Sequence, residues 1–480
     1  MNNKAGYWTK VILIGALVAT FAGCTTWSGD VAKYRQVLDG SQQAAQLNYQ
    51  ADDPLSLSRA LELANADNES IASRGENYIQ ALAEKMRQAG TFLPTVTLAP
   101  SYSASNNAHQ TSVPLNVSAT GSLSQVSSIQ AADYTAQERA QELLSERESV
   151  LLQVAQAYYS VLTYERQAEV YQNSVKVKTE KVRDQQERLR VGKTRALDLA
   201  QSQADLAGTR VTLTQTRTNA TNARSALARL MAVPAVKGPL VDGLMLPQDI
   251  PTLDQWQSGA ESSRQDLRAA AQALAASQAN LEAAIRQYYP SLTFNFSYLL
   301  HSDPTSMQSW TSLFSANLPL FSALAIEGDI RKNWSYCRQA ELVENQTRRQ
   351  VVDEVNQSYQ NLQGSRQNIA DLRVQVEAAQ RAADLAERGY ELGSVANLDR
   401  LIQQDNLLTA QLNLLSQQLS EKQYYLALLR SAGEISGGEL LRGGDLRRGQ
   451  REDQLFGGPK CPRRLCLGAI TAAGCAVGSP

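Results

Sequence analysis

Histidine, cysteine, proline and aromatic residues are all scarce in this chain of 480 residues, and each scarcity excludes something. Only His109 and His301 occur, too few for a multi-histidine metal site or for histidine-based acid–base catalysis. Of the five cysteines, Cys461, Cys466 and Cys475 crowd the carboxy terminus, and neither they nor Cys24 and Cys337 show a zinc spacing with histidine nearby. Cys337 reads as a small buried apolar residue on a helix. No charge of either sign is in excess: 46 Lys and Arg stand against 47 Asp and Glu, which excludes a general electrostatic grip on nucleic acid. Aromatics make up 6%, while Ala, Gln, Leu and Ser dominate the long middle stretches. The length allows two or three ordinary domains or one elongated one. The composition is that of a mostly helical chain that is not an enzyme and calls for no cofactor and no metal.

Lys4 and Lys10 flank the start of an apolar run from Val11 to Ala22, which is followed by Gly23 and Cys24. A basic start and about a dozen apolar residues make an export signal, too short for a membrane span of about 20 residues. The stretch Phe21-Ala22-Gly23-Cys24 resembles a bacterial lipoprotein cleavage box, with Phe21 where leucine is usual. That resemblance implies a signal peptide over 1–23 and lipidation at Cys24, the first residue of the mature chain. An ordinary cleaved signal and a retained anchor are the alternatives. Thr25 after the cysteine, rather than Asp, favours the outer membrane.

The prolines mark the architecture. None lies between Pro114 and Pro234 or between Pro319 and Pro459, and both intervals are rich in helix formers. Each reads as long helices interrupted once, near Gly192 and near Gly393. A shift of 201 positions pairs Val154, Gln156 and Tyr158 with Val355, Gln357 and Tyr359. Without a gap it also pairs Gly192, Leu197, Asp198, Gln203 and Leu206 with Gly393, Leu398, Asp399, Gln404 and Leu407. The chain is a duplicated unit. The run from about Tyr134 to Arg190 is too long to bury itself in a compact domain, so it is expected to pack in coiled-coil fashion on a partner helix, Ala196 to Met231. Gly192 and Gly393 then fall at the tips of two helical hairpins, where positive φ is wanted.

Each unit opens with two stretches of period two. Val96, Leu98 and Tyr102 alternate with Thr95, Thr97 and Ser103, and Val113, Leu115 and Val117 alternate with Asn116 and Ser118. In the second unit Leu292, Phe294, Phe296 and Tyr298 alternate with Ser291, Thr293, Asn295 and Ser297, and Trp310, Phe314, Leu318 and Leu320 with Thr311, Ser315 and Asn317. One apolar and one small-polar face suits an outer-membrane strand; a soluble two-sided sheet is the alternative. Four strands cannot close a membrane barrel, and lipid forbids an open edge, so several chains must share one barrel. A long hairpin hanging beneath such a barrel suggests a tunnel. His109 and His301 are expected in solvated loops just beyond the first and third strands.

Residues 55 to 432 resemble the TolC family of outer-membrane efflux channels. The resemblance rests on Asp266-Leu267-Arg268 leading into Tyr289-Pro290-Ser291-Leu292, on Leu318-Pro319-Leu320-Phe321, and on the tips Val191-Gly192-Lys193 and Leu392-Gly393-Ser394, each followed by Leu-Asp. It implies a homotrimer in which four strands per chain build a twelve-stranded barrel in the outer membrane, continued by a periplasmic α-helical coiled-coil barrel. The domains are then a signal peptide over 1–23, a lipidated segment over 24–54, a first repeat over 55–233, an irregular equatorial belt over 234–265, a second repeat over 266–432 and an irregular tail over 433–480. For the tail, disorder and a reading-frame error both remain open.

The resemblance also implies roles. Val191, Gly192, Lys193, Leu392, Gly393 and Ser394 match the tips that meet a periplasmic adaptor protein; Lys193 replaces an apolar residue, which makes that contact partly ionic. Asp399 matches a carboxylate ringing the periplasmic aperture, Asp198 is its counterpart, and Tyr390 matches a tyrosine that holds the aperture shut. The plain reading of both aspartates is a helix N-terminal acid that complements the helix dipole. Val395 stands where a bridging arginine is expected and Ile402 where a second ring carboxylate is expected, so Arg195 or Arg400 is left to close the aperture. The lipid anchor resembles that of members serving resistance–nodulation–division pumps of the inner membrane. The implied function is passive export of small toxic compounds or drugs through a tripartite efflux system. The duct of a type I protein secretion system and a periplasmic coiled-coil scaffold without a pore are the alternatives.

Overall fold

A computed structural model describes residues 28–39, 49–106, 108–303, 309–322 and 324–435. Cys24, the signal segment and nearly all of the tail lie outside them.

Two long helical hairpins dominate. In the first, α4 (Leu123–Arg190) descends for 68 residues, about 100 Å at 1.5 Å per residue, and α5 (Ala196–Leu230) returns half-way along it. In the second, α8 (Ala325–Glu391) and α9 (Asn397–Ser431) do the same. The ends of α4 and α8, and both ends of α5 and α9, are related by the 201-residue shift found in the sequence. The helix α4 begins at Leu123, earlier than the expected Tyr134, because Ser122 and Gln125 form a reciprocal capping box.

Shorter helices fill the upper half of each returning side: α2 (Leu57–Asp67) and α3 (Glu69–Gly90) in the first unit, α6 (Leu253–Ser263) and α7 (Gln265–Ile285) in the second. The repeat extends to their caps. The Asn68 amide that opens α3 donates to Leu230 O at 2.8 Å, and the Arg264 guanidinium that opens α7 donates to Ser431 O at 3.2 Å. Both target carbonyls close a returning helix, 201 residues apart.

The core sits at mid-height. There α1 (Ser28–Asp39), α2 and the irregular connection after Met231 pack on α4 and α9, burying Tyr34, Leu63, Ile71, Leu151, Tyr158, Tyr159, Leu227 and Leu428. A two-residue parallel pair, β1 (Leu55–Ser56) with β5 (Leu240–Val241), ties the amino-terminal segment to the connection. The Tyr158 hydroxyl lies 2.8 Å from Leu55 O and 2.7 Å from Val241 O, and so clips both strands to α4.

Above the helices, β2 (Thr95–Leu98) and β3 (Ser101–Ser105) pair with β4 (Ala108–Gly121), which pairs with β6 (Ser291–Asp303), which pairs with β7 (Trp310–Asn317), all antiparallel. The first stretch, expected as one strand, keeps a single register across β2 and β3 but is interrupted at Ala99–Pro100, where proline has no N–H for the ladder. The last strand ends at Asn317, short of the expected Leu320, ahead of Pro319. His109 and His301 lie within β4 and β6 rather than in loops, and the His109 ring stacks on Tyr102 with Nδ1 3.1 Å from its hydroxyl. Cys337 is half-buried on α8, not buried as the sequence suggested.

The register sorts the faces. Val96, Val117 and Phe296 line up on one side of the sheet with Leu98, Leu115, Tyr298 and Trp310; Thr95, Ser118 and Asn295 line up on the other with Thr97, Asn116, Ser297 and Thr311. Two residues of β7 break the pattern: Ser312 stands on the apolar face and Leu313 on the polar one. Residues 88–132 contain no Lys, Arg, Asp or Glu. Among the described residues, β2 and β3 pair only with β4, and β7 only with β6, so the sheet of one chain has two open edges. No described helix is long and apolar enough to cross a membrane.

Candidate functional site

The two tips share one backbone design. At the first, Gly192 has φ +73°, its N–H donates to Leu189 O at 3.0 Å, and Lys193 N–H donates to Arg188 O at 2.8 Å. At the second, Gly393 has φ +76°, with Gly393 N–H to Tyr390 O at 3.0 Å and Ser394 N–H to Gly389 O at 2.8 Å. A side chain is strained at such φ, which is why glycine occupies both positions. The flanking apolar residues point into solvent: Val191 is 59% and Leu392 84% exposed. Lys193 and Ser394 are exposed as well.

Asp198 and Asp399 occupy equivalent positions in the third residue of a helix, yet their surroundings differ. Asp198 is buried and accepts from Arg195 Nη2 at 3.1 Å, Arg195 Nε at 3.2 Å and the Thr194 hydroxyl at 3.3 Å. The hydrogen bond from Arg195 outweighs burial and holds the carboxyl below its ordinary range. Asp399 is exposed, and among the described residues its carboxylate has no hydrogen-bond or ion-pair partner. The difference follows from the cap residue: Arg195 precedes α5, whereas Ala396 precedes α9.

Above the tips a polar seam joins the two hairpins. Gln185 Nε2 donates to the Tyr390 hydroxyl at 2.7 Å, and Gln185 Oε1 accepts from the Thr194 hydroxyl at 3.0 Å. The Arg400 guanidinium lies 4.6 Å from the centre of the Tyr390 ring and donates to Glu387 Oε1 at 3.2 Å and Asn397 Oδ1 at 2.7 Å. Glu387 also accepts from Lys181 at 2.5 Å and Gln404 at 2.6 Å. Burial pushes Glu387 up, but the Lys181 hydrogen bond and the two cations outweigh it, and its carboxyl ends below the usual range. The Asn397 amide completes the seam by donating to Asp198 O at 3.1 Å. Of the two arginines left open by the sequence, Arg400 ties the two helices of its own hairpin together beneath Tyr390 and Glu387, and Arg195 caps its own helix.

Deeper in, Lys178 is only 7% exposed and donates to Asp205 at 2.6 Å, Asp405 at 2.8 Å and the Thr209 hydroxyl at 3.0 Å. All three ammonium protons are used, and three helices, α4, α5 and α9, meet there. Sequence reading missed Lys178, Lys181, Gln185, Glu387 and Asn397. The available signal was spacing: Lys178, Val182 and Gln185 recur at helical intervals and are all buried, but polar identity hid two of them from a search for apolar seams.

The family model for outer membrane efflux proteins matches residues 60–233 and 256–434, most of the chain and both of its repeats. The chain belongs to the outer membrane efflux protein family. Members of this family are channel proteins and not enzymes. Solved channels share the fold: the Campylobacter jejuni CmeC outer membrane channel superposes with a TM-score of 0.72 at 16% identity, covering 83% of this chain and 91% of that one. The Vibrio cholerae outer membrane protein VceC gives 0.70 at 18% identity over 78% of this chain and 96% of its own. The open state of the Neisseria gonorrhoeae MtrE outer membrane channel gives 0.68 at 19% identity, over 80% and 94%. No curated protein matches this outer membrane efflux protein. At these identities the likeness to solved structures is one of fold.

Proposed function

We propose that three copies of this chain form an outer-membrane duct that passively exports small toxic compounds delivered by an inner-membrane pump of the resistance–nodulation–division type through a periplasmic adaptor. The observation that carries this is the sheet: its apolar face suits lipid, its polar face suits a water-filled lumen, and its two open edges must be paired within a membrane. Three four-strand sheets joined edge to edge satisfy every strand and leave the helical hairpins hanging beneath as a second tube. A scaffold without a pore would leave both edges and the aromatic face of β6 and β7 exposed to water. Lipidation at Cys24 would tether each copy to the inner leaflet.

The chain performs no chemistry. At rest, the seam of Lys181, Gln185, Glu387, Tyr390 and Asn397 holds the two hairpins of each copy together, and Asp399 faces the axis as a cation-attracting ring. Adaptor binding at Val191–Lys193 and Leu392–Ser394 splays the hairpins, the aperture widens, and solute diffuses outward. The pump supplies the energy.

The test is compound tolerance and intracellular accumulation in a strain deleted for this gene, beside its complemented parent. Sensitivity to several small toxic molecules, relieved by complementation, establishes export. Unaltered tolerance with a missing extracellular protein moves the assignment to a type I secretion duct. Replacing Asp399 with Ala should lower the cation selectivity of the purified channel in planar bilayers; unaltered selectivity removes Asp399 from the aperture.

A further inference from the structure

The tips that share a backbone do not share a charge. Between Glu187 and Asp198 the first tip carries four cations, Arg188, Arg190, Lys193 and Arg195, against two carboxylates. The equivalent stretch of the second tip, Arg388 to Asp399, carries one cation against two carboxylates, Glu391 and Asp399. At the apex the exchange is position by position: Arg190 stands where the other tip has Glu391, and Lys193 where it has Ser394. Arg195 is satisfied by Asp198, and Arg190 reaches Glu187 at 3.1 Å, but Lys193, Glu391 and Asp399 are exposed and make no ion pair among the described residues.

These charges do not hold the hairpins to one another. That contact is made by Gln185 with Tyr390, Lys181 with Glu387 and Asn397 with Asp198 O, all on the helix flanks above the turns. Nor do they shape the turns, which close through backbone hydrogen bonds of matching length and glycines of matching φ. A duplication that keeps the backbone and inverts the exposed apex charge has kept the platform and altered what it receives.

Resting on the export reading above, we infer that the two tips are docking surfaces of opposite charge: the periplasmic partner presents a carboxylate-bearing end to the Val191–Lys193 tip and a cation-bearing end to the Leu392–Ser394 tip. In a threefold assembly the six tips alternate in sign around the ring. An approaching partner is then steered into one of three registers, and the three registers between them place like charges together. Apolar contact with Val191 and Leu392 supplies adhesion at both kinds of tip, while charge selects the register.

The test uses the full chain in the complemented deletion strain. One variant gives the first tip the second tip's charges, Arg190→Glu with Lys193→Ser. A second gives the second tip the first tip's charges, Glu391→Arg with Ser394→Lys. A third carries all four substitutions. Each single-tip variant makes the ring uniform in sign and is expected to lower tolerance about tenfold, toward that of the deletion strain. The fourfold variant restores the alternation, turned by one tip, and is expected to recover much of the loss. Full tolerance in both single-tip variants overturns the inference, as does a fourfold variant no better than either. Loss of the assembled trimer on detergent gels would make these residues structural and would also overturn it. A deletion strain as tolerant as its parent removes the export reading itself, a result distinct from all of these.

Discussion

Gln185 and Tyr390, 205 residues apart in sequence, meet in a 2.7 Å hydrogen bond between the side-chain amide and the phenol oxygen. The bond joins the descending helix of one repeat to the descending helix of the other, about two turns before Gly192 on one and less than a turn before Gly393 on the other. Removing the phenol oxygen in Tyr390→Phe leaves the amide unpaired and should cost about 1 kcal/mol. Arg400→Ala should cost more, because it takes away contacts to Glu387, Asn397 and the Tyr390 ring together. Both variants should raise the conductance of the purified channel in planar bilayers, Arg400→Ala the more strongly. Parental conductance in both would place the closure elsewhere.

Lys178 is a buried ion of the lower bundle. Lys178→Met should be destabilising, by about 2–3 kcal/mol, because the half-buried Asp205 is left without its partner. The paired change Lys178→Met with Asp205→Leu should recover most of that loss, since it removes the orphaned charge as well. Thermal melting of the purified protein reads both; equal melting temperatures for single and double variants would refute the assignment.

Three tip glycines separate strain from collision. Gly192→Ala and Gly393→Ala have open space for a methyl group but a positive φ, so each should cost about 1 kcal/mol. At Gly389 a β-carbon would stand 2.5 Å from Val395 Cγ2. Gly389→Ala should therefore be relieved by Val395→Ala, whereas Gly192→Ala should not. Melting temperatures of the single variants, and of Gly389→Ala and Gly192→Ala each combined with Val395→Ala, decide this.

The two faces of the sheet can be told apart by thiol chemistry. In a background lacking reactive native thiols, Asn116→Cys and Asn295→Cys should react with a membrane-impermeant methanethiosulfonate, because the polar face meets water. Val117→Cys and Phe296→Cys, one position along each strand, should resist it and react with a lipid-soluble maleimide. Equal reaction of neighbours would show a sheet wetted on both sides.

Glu148 gives the folded protein a pH dependence of its own. Burial pushes its carboxyl up to about 7 against the pull of Arg430 and Arg264. A carboxyl raised by folding stabilises the fold in its protonated form. That stability is fully present below the ordinary carboxylate range and is lost as pH rises through 7. The span corresponds to a contribution on the order of 3 kcal/mol. Glu148→Gln should leave stability below about pH 4 unaltered and raise it at pH 8, as read by melting temperature.

The long-range order of this chain was written in its local patterns. The absence of proline over two intervals bounded the hairpins, the 201-residue shift located both turns, and alternation of apolar with small polar residues marked four strands and their faces. Such features are legible because helix, turn and strand respond to side-chain periodicity and to backbone sterics, which are properties of neighbouring residues. The breaks came where two strands met: the gap at Pro100 belongs to a strand whose partner, β4, also carries a proline, Pro114. Likewise, His109 joined β4 because the opposing Ala104 was there to pair with it.

Tertiary structure alone decided the seam. Lys178, Lys181, Gln185, Glu387, Asn397 and Arg400 look in sequence like the solvated faces of charged helices. All but Arg400, whose acceptors lie in its own hairpin, bridge only because the hairpins lie side by side, where a donor finds an acceptor about 200 residues along the chain. Asp198 and Asp399, identical in sequence position, differ in state for a local reason instead: Arg195 stands before one helix and Ala396 before the other. Complementarity between distant side chains has no local signature: it comes into being when packing brings two partners within reach and removes the water that would otherwise have served either one.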